Sequence, residues 1–379
     1  MKKTITIISA AVLLLTIIYF SLPQYARKAL IYLYPDIDDL ALFCHTTVNA
    51  PDTCWEWKIS ERYGTVFPDS ADEAYLREKR SVAYLLIQHD SIIYEGYWDD
   101  REPSRTSNIF SATKSIVSLL TGIALDEGKI SSLDDPVSKY IPSYNKGLQS
   151  KVTIRNLLTM SGSMDWDESY ASLFSATTHG YYGNDLYKFI TNLEVTSEPG
   201  VQYTYRSGET QLLAFVVEAA TGETISSYAE RKLWKPIMPS DNAYWLLDKE
   251  DGDEKAFCCF HTTARDAARF GRLMLHKGEW NGRRIISEKY MQEAMTPASY
   301  LKDQWGKDSL DYYGFLIWIM NYKGERLPLF KGMLGQYIIA IPEKDAIVVR
   351  LGHKRSDKYI RETTEDNYRY VDMAMKMLE

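Results

Sequence analysis

A dominant basic face, a glycine-rich phosphate cradle and metal-spaced clusters of cysteine and histidine are all missing from this 379-residue chain. Lysine and arginine total 44 against 51 aspartates and glutamates, a net charge of -7, and the basic residues are scattered, which excludes a nucleic-acid partner. The six histidines, at 45, 89, 179, 261, 276 and 353, stand isolated, and no C-x-x-C pair occurs, so no zinc spacing is present. There is no G-x-S-x-G elbow and no ordered set of Asp and His partners, which disfavours a Ser-His-Asp triad. No internal repeat or low-complexity tract appears. With 45% hydrophobic and 25% charged residues, the composition is that of an ordinary globular protein with length enough for a large core.

Only four cysteines are present. Cys44 and Cys54 could close a short loop in an oxidising compartment, whereas Cys258 and Cys259 are adjacent, a spacing at which bridging is difficult.

The one long apolar run lies at the N-terminus. Behind Met1-Lys2-Lys3, the stretch from Thr4 to Leu22 carries no charge and would span about 28 Å as a helix, close to bilayer thickness. It reads as a membrane segment or a signal sequence. The only small-residue cleavage candidate, Q-Y-A before Arg27, is a poor match, which favours an uncleaved anchor. Lys2 and Lys3 argue for a cytoplasmic N-terminus, although Arg27 and Lys28 weaken the asymmetry. The expectation is a single pass through the inner membrane with the body on the extracytoplasmic side, or a periplasmic or secreted protein if the segment is removed.

Chemistry enters at N-I-F-S-A-T-K-S-I-V-S-L-L, where Ser111 and Lys114 stand three residues apart at a helix start. That spacing puts hydroxyl and amine on one helical face. A serine alcohol is a weak nucleophile at neutral pH, and a neighbouring amine that takes its proton makes it an acylating one. The same spacing recurs at Ser143 with Lys146 and at Ser299 with Lys302, but in polar, Pro-flanked stretches that read as solvated loops. Only Lys114 opens a long apolar helix. From Thr113 to Glu127 the residues Ile116, Val117, Leu119, Leu120, Ile123 and Ala124 form a buried stripe, and Gly128 supplies the stop. Partial desolvation there favours the neutral amine a base must be. The plainer alternative is that Ser111 caps the helix and Lys114 faces solvent.

Val82 to Trp98 reads as a β-hairpin broken at His89-Asp90-Ser91. Helices and loops follow from Ser111 to about Ile285. Strands return at Tyr313 to Met320, Gly335 to Pro342 and Ala346 to Gly352, and Thr364 to Leu378 reads as a final amphipathic helix. The pattern predicts an α/β chain of the α+β type, with one antiparallel sheet assembled from both termini and a mainly helical second lobe. Residues 23–75 read as a juxtamembrane extension.

These features together resemble the penicillin-recognising serine hydrolases, nearest to the class C β-lactamase-related enzymes and, within them, to the 6-aminohexanoate-dimer hydrolase branch. The likeness runs from about residue 76 onward through L-T-G-I-A-L-D-E-G-K-I, I-R-N-L-L-T-M-S-G, E-P-G-V-Q-Y-T-Y-R-S-G and F-C-C-F-H-T-T-A-R-D. It implies a β-lactamase/transpeptidase-like fold over 76–379, with a sheet lobe of about 76–112 and 290–379 and a helical lobe of about 113–289. The family's Tyr-x-Asn box falls on Tyr205-Arg206-Ser207, which keeps the tyrosine and has serine for the asparagine. The resemblance makes Tyr205 a proton-transfer group, with Lys114 and Arg206 as cations able to lower its pKa. The Lys-Thr-Gly box falls on Phe330-Lys331-Gly332, which implies an oxyanion hole from the backbone N–H groups of Ser111 and Met333, with Gly332 allowing close approach. The missing first-position cation argues against an efficient β-lactamase. Tyr170, after Trp166, matches the branch's substrate-lining loop, with Asp185 a weaker candidate; Ser207 and Gly332 join Tyr170 as expected substrate-binding residues.

The implied reaction cleaves an amide or ester of a small molecule through an acyl-enzyme on Ser111, with no metal or organic cofactor. The alternatives are a D,D-peptidase or β-lactamase, and a membrane-tethered binding or sensor module of low turnover.

Overall fold

The computed structural model describes residues 2–99 and 101–378; Met1, Asp100 and Glu379, which fall inside the expected segments, lie outside the described residues. Its frame is a seven-stranded sheet in the order Trp318–Tyr322, Glu325–Gly332, Gln336–Ile341, Ala346–Gly352, Ser81–Gln88, Ser91–Tyr97 and Lys58–Ile59. All neighbours are antiparallel except the last pair, which is parallel. The expected sheet from both termini is therefore present, with a parallel edge strand added from the segment that precedes it.

Side chains alternate across this sheet because successive strand residues point to opposite faces. Phe330, Ile338, Val349 and Leu85 face one core with the helix Ala264–Leu275, where Phe270 meets Phe330 at 5.9 Å. Leu329, Ile339, Val348 and Leu86 face a second, smaller core covered by α3 (Ser70–Glu78) and the helix Glu365–Leu378. The first core continues into the helical lobe through α4 (Thr113–Asp126), whose Ile116, Val117, Leu119 and Leu120 are all buried. Each such side chain contributes about 1.5–3 kcal/mol, so the helix start that carries Ser111 and Lys114 is held firmly.

The expected strand from Tyr313 begins only at Trp318. Leu316 has a left-handed backbone (φ 54°), and a Cβ on Gly314 would lie 2.1 Å from Ala294 O, so this stretch turns tightly against a neighbouring helix end. A second sheet, His45–Val48, Ala243–Leu246, Phe260–Thr262 and Ser107–Asn108, was not expected. Its strands have two to four residues, too few for alternation to register.

The cysteine expectation is corrected. Cys258 and Cys259 form a disulfide, while Cys44 and Cys54 are free and exposed. Cys259 adopts a left-handed backbone (φ 76°), which folds the pair back on itself. Cys44 and Cys54 are parted by the extended strand His45–Val48, and the Cys54 thiol donates to Glu56 instead.

At the N-terminus α1 (Lys2–Ser21) is exposed over nearly all of Lys3–Ser21, and it is long and apolar enough to cross a membrane, a test a signal sequence also passes. Two residues later α2 (Gln24–Tyr32) packs onto the body against the helix Ala176–Tyr182. Ala26 and Ala29 are buried, Tyr25 stacks on His179 at 4.3 Å, and the Tyr182 hydroxyl donates to Leu33 O.

Candidate active site

Ser111 sits in a short 3₁₀ turn, Phe110–Ala112, that leads into α4. The turn is tied down before it reaches the serine. Ile109 N–H donates to Phe260 O, Phe110 N–H to the Asn108 carboxamide, and Thr113 Oγ1 accepts from Phe260 N–H. Phe110 takes a left-handed backbone (φ 46°), a strained conformation that the surrounding bonds enforce.

Lys114 is 1% exposed, with Nζ 3.0 Å from Ser111 Oγ and 2.6 Å from the Phe257 carbonyl oxygen, to which it donates. Burial pushes its pKa down to about 8, against an opposing pull from the Glu168 carboxylate. The lowered value leaves a substantial share of neutral amine near neutral pH, and in that form it can accept the hydroxyl's proton as the oxygen attacks a carbonyl.

The Tyr205 phenol lies near enough to the Ser111 hydroxyl for that group to act on its pKa, and its ring centre lies 5.2 Å from Lys114 Nζ. Lys114 and Tyr205 thus both neighbour Ser111. The expected lowering of the phenol pKa is corrected: burial and the Glu168 carboxylate raise it, outweighing the Ser111 hydrogen bond and the Arg355 charge. Arg206 does not help, because its guanidinium turns to the buried Glu209, 3.8 Å away. The phenol is therefore equipped to donate a proton, and the lysine to accept one.

Gly332 ends its strand against the serine turn. A Cβ there would come within 2.1 Å of Ile109 O, so only glycine permits the approach that brings Met333 to the cleft beside Ser111. Lys331 pairs with Tyr337 and points to the other face, donating to Glu362 O and lying 3.5 Å from the Trp318 ring centre. It supplies no cation beside Ser111.

Glu168 is the residue that sequence reasoning missed. Its carboxylate accepts from Trp166 Nε1 (2.6 Å), the Tyr170 hydroxyl (2.6 Å), Ser207 N–H (2.7 Å) and Ser207 Oγ (2.7 Å). It ties the loop that follows Met160-Ser161-Gly162 to the helix start after Tyr205. Ser207 is thereby occupied by Glu168, and Tyr170 lines the cleft mouth, 48% exposed. Asp185 lies apart, paired with His179 at 3.0 Å. Only the W-D-E-S-Y spacing, a carboxylate between two aromatic donors, hints at such a hub.

A family model described as Beta-lactamase matches residues 71–369. The chain belongs to the Beta-lactamase family. It is 28% identical over 242 residues to the 6-aminohexanoate-dimer hydrolase of Paenarthrobacter ureafaciens, covering 60% of each chain. It is 26% identical over 182 residues, 41% of each chain, to an Escherichia coli K12 protein provisionally named a D-alanyl-D-alanine carboxypeptidase. The chain thus spans 60% or less of the length of these relatives. Among solved structures, a Bacillus anthracis protein provisionally named a 6-aminohexanoate-dimer hydrolase superposes with a TM-score of 0.74 at 21% identity, covering 89% of this chain and 90% of that one. A family VIII carboxylesterase superposes at 0.66 with 16% identity, covering 85% and 99%. These two likenesses are of fold. The relatives that share this fold carry the names of hydrolases, which agrees with the family expected from the sequence.

Proposed function

We propose that this member of the family is a serine hydrolase that cleaves an amide or ester through an acyl-enzyme on Ser111. The observation that carries the reading is the buried Lys114 amine, 3.0 Å from Ser111 Oγ and lowered to about pKa 8, with the Tyr205 ring centre 5.2 Å from its Nζ. Ser111 Oγ attacks the carbonyl carbon and its proton passes to Lys114 Nζ. The oxyanion is received by the backbone N–H groups of Ser111 and Met333. As the tetrahedral intermediate collapses, the Tyr205 O–H gives its proton to the departing amine or alcohol and regains one from the Lys114 ammonium. Water then enters, Lys114 takes its proton, and Ser111 leaves with a proton returned by the same pair. Tyr170 and Ser207, both tied to Glu168, border the substrate's path.

The N-terminal helix is read as an uncleaved anchor with the body outside the cytoplasm. Removal after Ala26 would cut inside α2, whose Ala26 is fully buried and whose Tyr25 stacks on His179.

Treatment of the full-length protein with a fluorophosphonate probe, followed by peptide mapping, tests the chemistry. Label on the peptide holding Ser111, lost in Ser111→Ala, is the expected result; no label, or label that survives the substitution, rejects it. Stable labelling of Ser111 by a penicillin would instead favour the carboxypeptidase-like reading.

A further inference from the structure

The cleft that holds Ser111 is unusual in what lines it. It holds about 930 Å³ of free space, open mouth included, and among the described residues that line it there is no Asp, Glu, Lys, Arg or His. Its polar contributors are hydroxyls, backbone and the Cys258 sulfur; the rest is aliphatic or aromatic. One wall comes from α2 and the residues after it, Leu30, Leu33 and Tyr34, and the opposite rim from Leu173. Leu33 is 70% exposed, and the neighbouring Phe174 is 63% exposed. Such side chains at an open mouth leave apolar surface in water unless something apolar covers it.

Resting on the hydrolase reading, we propose that this groove takes an uncharged aliphatic chain of about eight carbons or more, attached to the ester or amide that Ser111 attacks. Three observations select that occupant. The lining continues from Ser111 and Met333 directly to Leu30 and Leu33, so a chain bound there is joined to the reacting carbonyl. With no charged side chain among the described residues that line the groove, a substrate ammonium or carboxylate seated against its walls meets no opposite charge there, which costs binding when it is desolvated. The wall itself begins two residues after an apolar helix of bilayer length, so the groove is carried on the segment nearest any membrane that α1 enters.

The test measures kcat/KM of the full-length protein in a non-ionic detergent on nitrophenyl acetate, butyrate, octanoate and dodecanoate, each below its micellar concentration. The expected octanoate-to-acetate ratio is tenfold or more, because burial of each methylene adds to transition-state binding. Leu33→Glu should cut that ratio about tenfold, and Leu33→Met should keep it; Leu33 is exposed enough for both to fold. A ratio near one in the native protein, or a ratio unmoved by Leu33→Glu, overturns the proposal and leaves the hydrolase reading standing. No turnover at any chain length, with no fluorophosphonate label, sinks both. A parallel arm presents the dodecanoyl ester dissolved or embedded in phosphatidylcholine vesicles holding the protein. Faster turnover from the vesicle identifies a bilayer source, and faster turnover of the dissolved ester a soluble one, both upholding the aliphatic occupant.

Discussion

The helix start at Lys114 and the packed interior around Lys255 each bury a lysine almost completely, and the two places differ in what surrounds the amine. Lys114 Nζ has Ser111 Oγ at 3.0 Å and the Phe257 carbonyl at 2.6 Å. Lys255 Nζ has no hydrogen-bond partner among the described residues and rests 4.0 Å from the Phe43 ring centre. Burial lowers both pKa values, to about 8 and about 7 respectively. Desolvation therefore moves either amine toward the neutral form. What separates a candidate base from an isolated buried amine is an acidic proton within reach, with a carbonyl to hold the nitrogen in place.

The comparison is broken most directly by removing each amine. Lys114→Met and Ser111→Ala should each lower kcat/KM on a nitrophenyl ester by about a hundredfold or more, while Lys255→Met stays within about twofold of the native rate. Equal losses at the two lysines would mean that burial, not the Ser111 contact, matters. Tyr205→Phe should come next, and its effect should depend on the leaving group. Nitrophenolate leaves without a proton, so the loss on an anilide should exceed the loss on the nitrophenyl ester with the same acyl group. A loss that is the same on both substrates would remove Tyr205 from the donor role.

The seam between the lobes was legible where local spacing carries it. The hairpin at Ser81–Gln88 and Ser91–Tyr97, the helix Thr113–Asp126 with its left-handed Gly128 stop, and the strands Gln336–Ile341 and Ala346–Gly352 all follow from periodicities of 2 and 3.6. The Ser111 and Lys114 pair is visible because one helical turn sets its distance. Glu168 was not legible, since four donors from Trp166, Tyr170 and Ser207 converge on it only after a loop and a helix start 39 residues apart in sequence meet. Neither was the direction of the Tyr205 shift, which depends on how much water the fold removes and on the Glu168 charge rather than on neighbours in sequence. Arg206 sits next to Tyr205 in the chain, but its guanidinium pairs with Glu209. The wall built by α2 was hidden for the same reason: Q-Y-A-R-K-A-L-I-Y has a buried alanine edge whose partner, Ala176–Tyr182, lies about 150 residues on.

A finer probe uses pH. Under the proposed mechanism the neutral Lys114 amine is the active form, so kcat/KM should rise as pH increases through about 8 and then level off. The raised Tyr205 phenol places any alkaline fall above the ordinary phenol range near ~10. Because the Glu168 carboxylate pulls the Lys114 pKa up, Glu168→Gln should move the rising limb to lower pH, read from a full pH profile with a slower maximum rate. A limb that stays put or moves alkaline would show that Glu168 does not act on Lys114 through charge.

Lys255 offers the smallest and cleanest contrast. Its folded-state pKa, about 7, lies below the ordinary 10.5, so the unfolded chain binds a proton between these values that the folded chain does not. Its cost to stability is absent above about pH 10.5, grows as pH falls, and is complete below about 7. Lys255→Met keeps an unbranched side chain of similar length and removes that titration. It should therefore stabilise the protein by on the order of 2 kcal/mol at pH 7 and by little at pH 10, measured by urea unfolding of the full-length protein in detergent at both values. The same exchange at Lys114 removes a similar burial cost but also strips the Phe257 carbonyl and Ser111 hydroxyl of their partner, so its stability gain should be smaller. An equal gain at both positions would mean that the two hydrogen bonds of Lys114 add nothing to folding, leaving reactivity as their sole consequence.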